Sequence, residues 1–295
     1  MRLSLSESMR GLPPTGPKPG PRRSIHPLTL IAYLVIGLFC LFELVPLCYV
    51  VLSGFKTNTE INRVTFFPSH LRLQNYTDVF ASPLVIPGFV NSLIIIVGSL
   101  LIGVMVSALA GYALSRWRGI FSLAIYLVFL SAFMIPNATN LATTYALLQK
   151  LGLLDSRAGL IMIYAAGTIP FGVLLYAGFV KTIPRELDEA AMIDGCGFFR
   201  RFYYVVFPLL RPAVVTHIVL NVIGIWNDFL TPLVYITSDD KKPLPLAMFS
   251  FVSNHATDWG AIFALLTLSM IPPLLFFLIA QKYIYQALTQ GVVKG

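Results

Sequence analysis

The 295-residue chain is 57% hydrophobic and only 12% charged, and it has a formal net charge of +8. Soluble domains carry roughly 25% charged residues, so this composition leaves too little polar surface to cover a water-soluble globule. It therefore indicates an integral membrane protein. The basic excess does not indicate nucleic-acid binding, because lysine and arginine stand at the ends of apolar runs and not in a basic stripe.

Six apolar runs are each long enough for a helix that crosses a bilayer, which takes about 20 residues. They cover residues 27–53, 89–115, 119–136, 158–180, 213–236 and 261–283. In lipid, only helices and closed barrels satisfy all their backbone hydrogen bonds, and these continuous runs favour helices. The expected fold is therefore all-α: a polytopic membrane protein with six transmembrane helices.

The same pattern divides the chain into three predicted regions. Residues 1–26 are rich in proline, glycine and basic residues and are expected to form a disordered cytoplasmic tail. Residues 27–287 form the predicted transmembrane domain, and residues 288–295 form a short cytoplasmic C-terminal tail. The first apolar run is too long for a cleavable signal peptide and lacks a small-residue cleavage site behind it.

Lysine and arginine are unevenly distributed between the two sides of the predicted membrane domain. With the N-terminus inside, most of the 21 basic residues fall on the inner side, as the positive-inside rule requires. Both termini and residues 181–212 are therefore expected in the cytoplasm. The outer connections, 54–88 and 237–260, carry aromatic residues and proline. They fit either an interfacial aromatic belt or a landing surface for an external partner.

Residues 181–212, called the polar segment below, carry four acids and five bases between two apolar runs. The segment begins with a helical pattern that ends at Asp194-Gly195, because glycine readily adopts the left-handed conformation that terminates helices. A second amphipathic helix is predicted over 198–206 and is expected to stop at Pro208. The pattern indicates two short helices joined by a turn at the membrane surface, and a generic cytoplasmic loop is the alternative interpretation.

Motifs that would make the chain an enzyme are missing from the sequence. It contains no G-x-x-x-x-G-K-[ST] phosphate loop, H-E-x-x-H zinc site or G-x-S-x-G nucleophile elbow. The three cysteines have neither metal-ligand nor disulfide spacing. Asp194-Gly195 matches the metal-binding pair of membrane phosphotransferases, but the further aspartates of such sites are lacking. The chain is expected to catalyse no reaction and to bind no metal.

The polar segment contains a spaced pattern of acidic, small and apolar residues. It reads E-A-A, three residues, G, nine residues, V-x-F-P, and it resembles the EAA motif of ABC importer permeases with conservative changes at two positions. The matching residues are Glu189, Ala190, Ala191, Gly195, Val205, Phe207 and Pro208. The run 183–195, the run 226–233 and the ending 281–295 are similar to the carbohydrate-uptake, or maltose-type, subfamily.

This resemblance implies a type I ABC importer permease, in which the EAA loop forms a cytoplasmic coupling helix that docks into an ATPase subunit. The implied partners are a second homologous permease, two cytoplasmic ATPase subunits, an extracytoplasmic substrate-binding protein and the lipid bilayer, with no nucleic acid. ATP and Mg would be bound by the ATPase subunits, and this chain would bind no cofactor. The implied docking residues are Glu189, Ala190, Ala191, Asp194, Gly195 and Pro208, with Val293, Lys294 and Gly295 as a C-terminal tail contact.

Polar side chains inside apolar runs are costly in lipid, so they usually face protein or an aqueous cavity. The candidates for a translocation pathway are Glu43 on the first run and Asn221, Trp226, Asn227 and Asp228 on the fifth. A tryptophan ring can stack on a sugar while amide and carboxylate groups bind its hydroxyls; hydrogen bonds between helices are the alternative interpretation. His217, near the end of the fifth run, is expected at the membrane interface.

The sequence therefore predicts the permease subunit of an ATP-driven ABC importer. It would form half of the translocation pathway for a sugar or oligosaccharide that an extracytoplasmic binding protein delivers. An importer of glycerol phosphate or another polar solute is the alternative within transporters. A membrane-embedded enzyme is the alternative from another class.

Overall fold

A computed structural model describes residues 27–117, 119–134, 140–255 and 257–292. The predicted N-terminal tail and the tail residues Val293, Lys294 and Gly295 lie outside the described residues. All regular secondary structure in these ranges is helical, which confirms the predicted all-α class.

The helices are numbered in chain order. The first seven are α1 (Pro27–Ser53), α2 (Asn58–Asn62), α3 (Gln74–Ala81), α4 (Val85–Arg116), α5 (Ile120–Phe133), α6 (Leu141–Lys150) and α7 (Arg157–Thr182). The polar segment holds α8 (Arg185–Ile193), α9 (Phe198–Arg201), a π-helical turn (Phe202–Val206) and α10 (Phe207–Leu209). The rest comprises α11 (Arg211–Asn227), α12 (Leu230–Tyr235), a 3₁₀ turn (Asp239–Lys241), α13 (Leu244–Asn254) and α14 (Trp259–Val292).

Four helices in the described residues are long and apolar enough to cross a membrane: Thr29–Ser53 within α1, Val85–Arg116, Arg157–Thr182 and Trp259–Lys282 within α14. The pair Phe198–Leu209 and Arg211–Asn227, bent by 74°, is a fifth candidate. The remaining predicted span, 119–136, corresponds to α5, whose 14 residues fall short of a full crossing. The predicted count of six spans is therefore not confirmed.

The fifth apolar run is not the continuous helix that the sequence predicts. Helix α11 ends at Asn227, and Asp228 takes an extended conformation with ψ of 122°. The Asp228 carboxylate accepts a hydrogen bond of 3.2 Å from the Thr231 amide at the start of α12. Aspartate favours such capping positions, because its short side chain satisfies amides that the new helix leaves unbonded.

The predicted helix stop at Pro208 is wrong, because helical structure runs through it. A proline in an α-helix removes one donor and its ring collides with the carbonyl four residues earlier. Here the preceding turn, Phe202–Val206, is π-helical, and the Phe207 amide bonds the Phe202 carbonyl five residues back. The wider turn accommodates the proline, and the chain bends only after Leu209.

Contacts divide the described chain into two units at Cys48 and Tyr49. In the first unit, the side chains of residues 29–48 on α1 are exposed. In the second unit, the core surrounds the paired helices α4 and α7. One core cluster lies near the C-terminal ends of α4 and α7. It also includes side chains of the π-helical turn and α11. Its buried members are Val104, Ala108, Tyr112, Tyr176, Val180, Phe202, Val206, Leu210 and Ala213.

Small residues allow α4 and α7 to approach each other closely, as helices do in lipid, where burial of apolar surface adds little driving force. A Cβ atom on Gly111 would lie 2.8 Å from Cβ of Tyr176 and 2.9 Å from the Ala177 amide nitrogen. No heavy atom lies within 4 Å of the equivalent position on Gly178, an exposed residue of α7.

We expect Gly111→Val to destabilise the protein by about 1–3 kcal/mol, because overpacking forces the two helices apart. Gly178→Val is the matched control, since it adds the same side chain to open space. Thermal unfolding of the detergent-purified protein measures both. Equal melting temperatures for the two variants would show that close approach at Gly111 does not stabilise the fold.

Candidate functional site

Helix α8 is a short amphipathic helix with a defined start and end. It follows Pro184, and Glu186 and Asp188 in its first turn complement the positive end of the helix dipole. At its end Gly195 has φ of +76°. The Cys196 amide donates to the Ala191 carbonyl at 2.9 Å, and the Gly195 amide donates to the Met192 carbonyl at 3.0 Å. This double hydrogen bond is a Schellman motif, so the predicted glycine stop is confirmed.

The two faces of α8 differ in what they contact. Asp188 and Ala191, three residues apart on one face, are buried. The opposite face is open, and Ile193 at its end is 88% exposed. The predicted docking residues divide accordingly: Glu189, Ala190, Asp194 and Gly195 are exposed on α8 and its turn, Ala191 packs inward, and Pro208 is exposed at α10. Helix α8 and its terminal turn at Gly195 thus form an exposed projection with a well-defined end, called the knob below.

The buried face of α8 is tied to the last turns of α4 by a polar cluster. The Arg116 guanidinium (Nε) lies 2.5 Å from Oδ2 of Asp188, and both side chains are largely buried. The Tyr112 hydroxyl donates to Oδ1 of Asp188 at 2.8 Å. Arg116 also donates from Nη2 to the Ile183 carbonyl at 3.2 Å, just before α8. Asp188 therefore fixes the position of the knob relative to a membrane-spanning helix.

An aromatic stack extends this attachment to the rest of the polar segment. The Tyr112 ring stacks on Phe198 with a centroid distance of 5.0 Å and lies 5.7 Å from Phe202. In the sequence, Asp188 is only one of the four acids of the polar segment. Two spacings are consistent with the contact: Tyr112 and Arg116 are four apart on α4, and Asp188 and Ala191 are three apart on α8, so each pair shares a helix face.

A cavity of about 720 Å³ lies between α11, α13 and α14. Its walls are mostly apolar and aromatic, with a few polar groups, which is the usual chemistry of small-molecule pockets. The lining includes Trp226, Asn227, Phe229, Met248, Phe249 and Ser269. Two of the predicted pathway residues, Trp226 and Asn227, therefore line the same cavity. The ring centroids of Trp226 and Phe89 are 6.0 Å apart.

The other pathway candidates have partners or positions outside that lining. The Asn221 amide donates to the His217 carbonyl on its own helix at 2.8 Å. Asp228 accepts a hydrogen bond from the Tyr164 hydroxyl on α7 at 3.1 Å. Glu43 is exposed on α1. The geometry of Asp228 matches the interhelical hydrogen bond that the sequence left open as an alternative.

His217 packs inside the helix bundle and is not exposed at the surface of the described chain. Its side chain is fully buried, and Nδ1 lies 3.1 Å from the Tyr176 hydroxyl. A Cβ atom on Gly172 would come within 2.5 Å of its Cε1 atom. The absence of a side chain at Gly172 on α7 therefore leaves room for the imidazole of α11, which fills the junction between the two helices.

A second polar cluster fixes the connection between α12 and α13. Asp155, with φ of +51°, accepts hydrogen bonds from the Thr237 amide at 2.9 Å, from the Ser238 amide at 3.0 Å and from the Ser238 hydroxyl. Lys241 lies 3.1 Å from its Oδ2 atom. Burial raises the pKa of Asp155, but the hydrogen bonds from Ser238, Thr237 and Lys241 outweigh it and hold the pKa well below its ordinary value. The carboxylate therefore stays charged throughout the neutral range.

Because the folded-state pKa of Asp155 is depressed, its contribution to stability is present above about pH 4 and is lost as the pH falls below that value.

We expect Asp155→Asn to lower the free energy of local unfolding of residues 237–241 by about 1–2 kcal/mol, since charge-assisted hydrogen bonds become neutral ones. Asparagine tolerates the left-handed backbone at this position. Hydrogen exchange at Thr237 and Ser238 measures the effect, and Asp240→Asn, an exposed change in the same loop, is the control. Equal exchange in the two variants would contradict the role of Asp155.

Apolar spans, an exposed capped knob and an open, mostly apolar cavity are the features expected of a polytopic membrane permease. The chain belongs to the family described as the binding-protein-dependent transport system inner membrane component, which matches residues 103–290. The matched region contains α8 and the lining of the cavity. The predicted family of ABC importer permeases is thus confirmed.

Relatives and solved structures agree with this assignment. The diacetylchitobiose uptake system permease protein NgcG of Streptomyces coelicolor is 32% identical, over 90% of this chain and 88% of its own length. AmyC of Thermoanaerobacterium thermosulfurigenes, a probable starch degradation products transport system permease protein, is 36% identical over 90% of this chain and 96% of its own. A bacterial ABC transporter for import of the polysaccharide alginate shares the fold, with a TM-score of 0.79, 21% identity, and coverage of 90% of this chain and 99% of that one.

Proposed function

We propose that this chain is the permease subunit of an ATP-driven importer for a sugar or oligosaccharide that an extracytoplasmic binding protein delivers. The observation that carries the proposal is the construction of α8: its EAA residues Glu189 and Ala190 are exposed, while Asp188 on the opposite face anchors the helix to α4. Relatives named for diacetylchitobiose and for starch degradation products support a carbohydrate as the solute.

In this proposal the chain works within a larger assembly. Two cytoplasmic ATPase subunits bind ATP and Mg, and the exposed face of α8 docks into one of them. A second homologous permease completes the pathway. Both termini lie in the cytoplasm of a bacterial or archaeal cell, and Val293, Lys294 and Gly295 provide a further contact with the ATPase. Closure of the ATPase subunits moves α8, and the Asp188–Arg116 ion pair transmits that movement to α4.

The cavity between α11, α13 and α14 is the proposed pathway surface of this subunit. The exposed Asn227 amide can both donate to and accept from hydroxyl groups of a sugar. Trp226, which is only 5% exposed, forms part of the apolar wall beside it. Mostly apolar walls with few polar groups suit passage, because a site that binds a solute weakly also releases it. Asn221 and Asp228, which hydrogen-bond within the helices, support the pathway indirectly in this proposal.

The test is binding-protein-stimulated ATP hydrolysis by the purified complex in liposomes. We expect Glu189→Ala to reduce the stimulated rate by about tenfold, since removing one member of an interfacial charge pair costs at least about 1.4 kcal/mol. Glu189→Asp is the control, because it keeps a carboxylate at the same exposed position. Equal rates for the two variants would contradict docking through the exposed EAA residues.

A further inference from the structure

A second cavity, of about 430 Å³, opens where α4 and α7 end and α8 begins. Its described lining is polar and mainly cationic, with Arg116, Lys181 and Arg185 facing one acid, Glu186. Arg116 is neutralised by Asp188 beneath it. Three cations, Arg116, Lys181 and Arg185, against two acids, Asp188 and Glu186, leave a net charge of +1 at the cavity. Its exposed positive groups are Lys181 and Arg185.

The position of this cavity along the spans matches the headgroup layer of a bilayer. Arg116 is the last residue of α4, and the next residue, Trp117, is 67% exposed. Lys181 is in the last turn of α7, and its ammonium lies 5.6 Å from the ring centre of Tyr126 on α5. Tryptophan, tyrosine and the ends of lysine side chains concentrate at the boundary between hydrocarbon and water. The cavity therefore opens at the height of lipid phosphates.

An apolar wall stands directly beside the cationic cavity. Helix α5 passes next to Lys181 through Tyr126, and it begins with Ile120 and Phe121, which are 78% and 83% exposed. The other exposed apolar residues of α5 include Leu123, Leu127 and Val128. A ligand that fits both surfaces carries an anionic head and a hydrocarbon tail, whereas inorganic phosphate would use the cavity alone.

We propose that this cavity binds the phosphate of an anionic phospholipid, of the phosphatidylglycerol type, in the leaflet on the α8 side. Lys181 and Arg185 contact the phosphate, and the acyl chains lie along α5. Basic pockets between membrane helices recognise anionic headgroups by this combination of charge and depth. The bound lipid would join the end of α7 to the start of α8. The proposal depends on insertion in a membrane and not on the solute that is imported.

Native mass spectrometry of the purified transporter complex tests this proposal. The complex is equilibrated with mixed phosphatidylglycerol and phosphatidylcholine, transferred to mild detergent, and the retained lipids are counted. We expect selective retention of phosphatidylglycerol. We also expect Lys181→Gln with Arg185→Gln to weaken its binding by about 25-fold, roughly fivefold for each cation near an anionic headgroup.

Two further variants control for charge and folding. Arg63→Gln with Lys150→Gln removes the same charge from exposed residues that do not line the cavity and is expected to leave retention unchanged. Lys181→Arg with Arg185→Lys keeps the charge and is expected to preserve binding. Equal retention of the two lipids, or equal retention by wild type and the Gln pair, would overturn the proposal. Displacement of the lipid by inorganic phosphate at matched concentration would assign the cavity to free phosphate and overturn it as well.

Discussion

Replacing Asp188 with alanine is expected to destabilise the protein by about 3 kcal/mol and to abolish coupling between ATP hydrolysis and transport. The change removes the partner of Arg116 and the acceptor of the Tyr112 hydroxyl. Breaking a buried ion pair costs more than the pair itself contributes, because the remaining charge stays buried without compensation. In addition, α8 would lose its connection to α4.

Two measurements separate the structural and the functional parts of this effect. Thermal unfolding of the detergent-purified chain reports the stability, and uptake per ATP hydrolysed in liposomes reports the coupling. Glu186→Ala on the same helix removes an exposed acid and is expected to change stability by less than about 0.5 kcal/mol. If Asp188→Ala unfolds at the temperature of Glu186→Ala and transports equally well, Asp188 does not hold the knob in place. The double change Asp188→Ala with Arg116→Met, which leaves no unpaired charge, is expected to recover stability but not coupling.

Gly195→Ala is expected to weaken the end of α8 by about 1–2 kcal/mol and to lower binding-protein-stimulated ATP hydrolysis by about tenfold. The reason is conformational, because Gly195 has φ of +76° and no heavy atom within 4 Å of an added Cβ. A side chain there meets open space but disfavours the left-handed backbone. The Schellman hydrogen bonds to Ala191 and Met192 would be lost with that conformation.

Gly197 provides a matched control two residues further along the same turn. It also has open space around an added Cβ, but its φ of −67° is one that alanine adopts freely. Gly197→Ala is therefore expected to leave both stability and stimulated ATP hydrolysis close to wild type. Hydrogen exchange at Cys196 compares the two variants directly. Identical exchange and identical ATPase rates would mean that the left-handed turn at Gly195 does not contribute to docking.

Features that depend on a few neighbouring residues were predictable from the sequence. The left-handed glycine after α8 follows from Asp194-Gly195 alone, since few other pairs end a helix so sharply. The all-α membrane class follows from the length of the apolar runs. The stop predicted at Pro208 failed for a related reason: the rule assumes α-helical pairing, and the π-helical turn before the proline alters that pairing.

Features that depend on residues far apart in the sequence could not be predicted in the same way. The Asp188–Arg116 ion pair joins residues in different helices, and the spacings within α4 and α8 define one face on each helix but not that the two faces meet. The burial of His217 depends on Gly172, which lies on another helix. Of the fifth-run candidates, Trp226 and Asn227 reach the cavity only because the run breaks at Asp228 and α13 folds against α11. Hydropathy averaged over a window does not register such a break, since α11 and α12 on either side of it are both largely apolar.

The π-helical turn at Phe202–Val206 determines how the two short helices on either side of it, α9 and α10, are oriented. Such a turn contains one residue more than the α-helical path would need, and each residue of an α-helix rotates the chain by about 100°. Deleting one residue there would return the turn to α-helical pairing and rotate α10, up to the bend after Leu209, by about a quarter of a circle relative to α9. The extra residue thus sets the direction in which α10 presents Pro208 relative to α9, and its removal would turn that surface away while leaving the side chains of both helices unchanged.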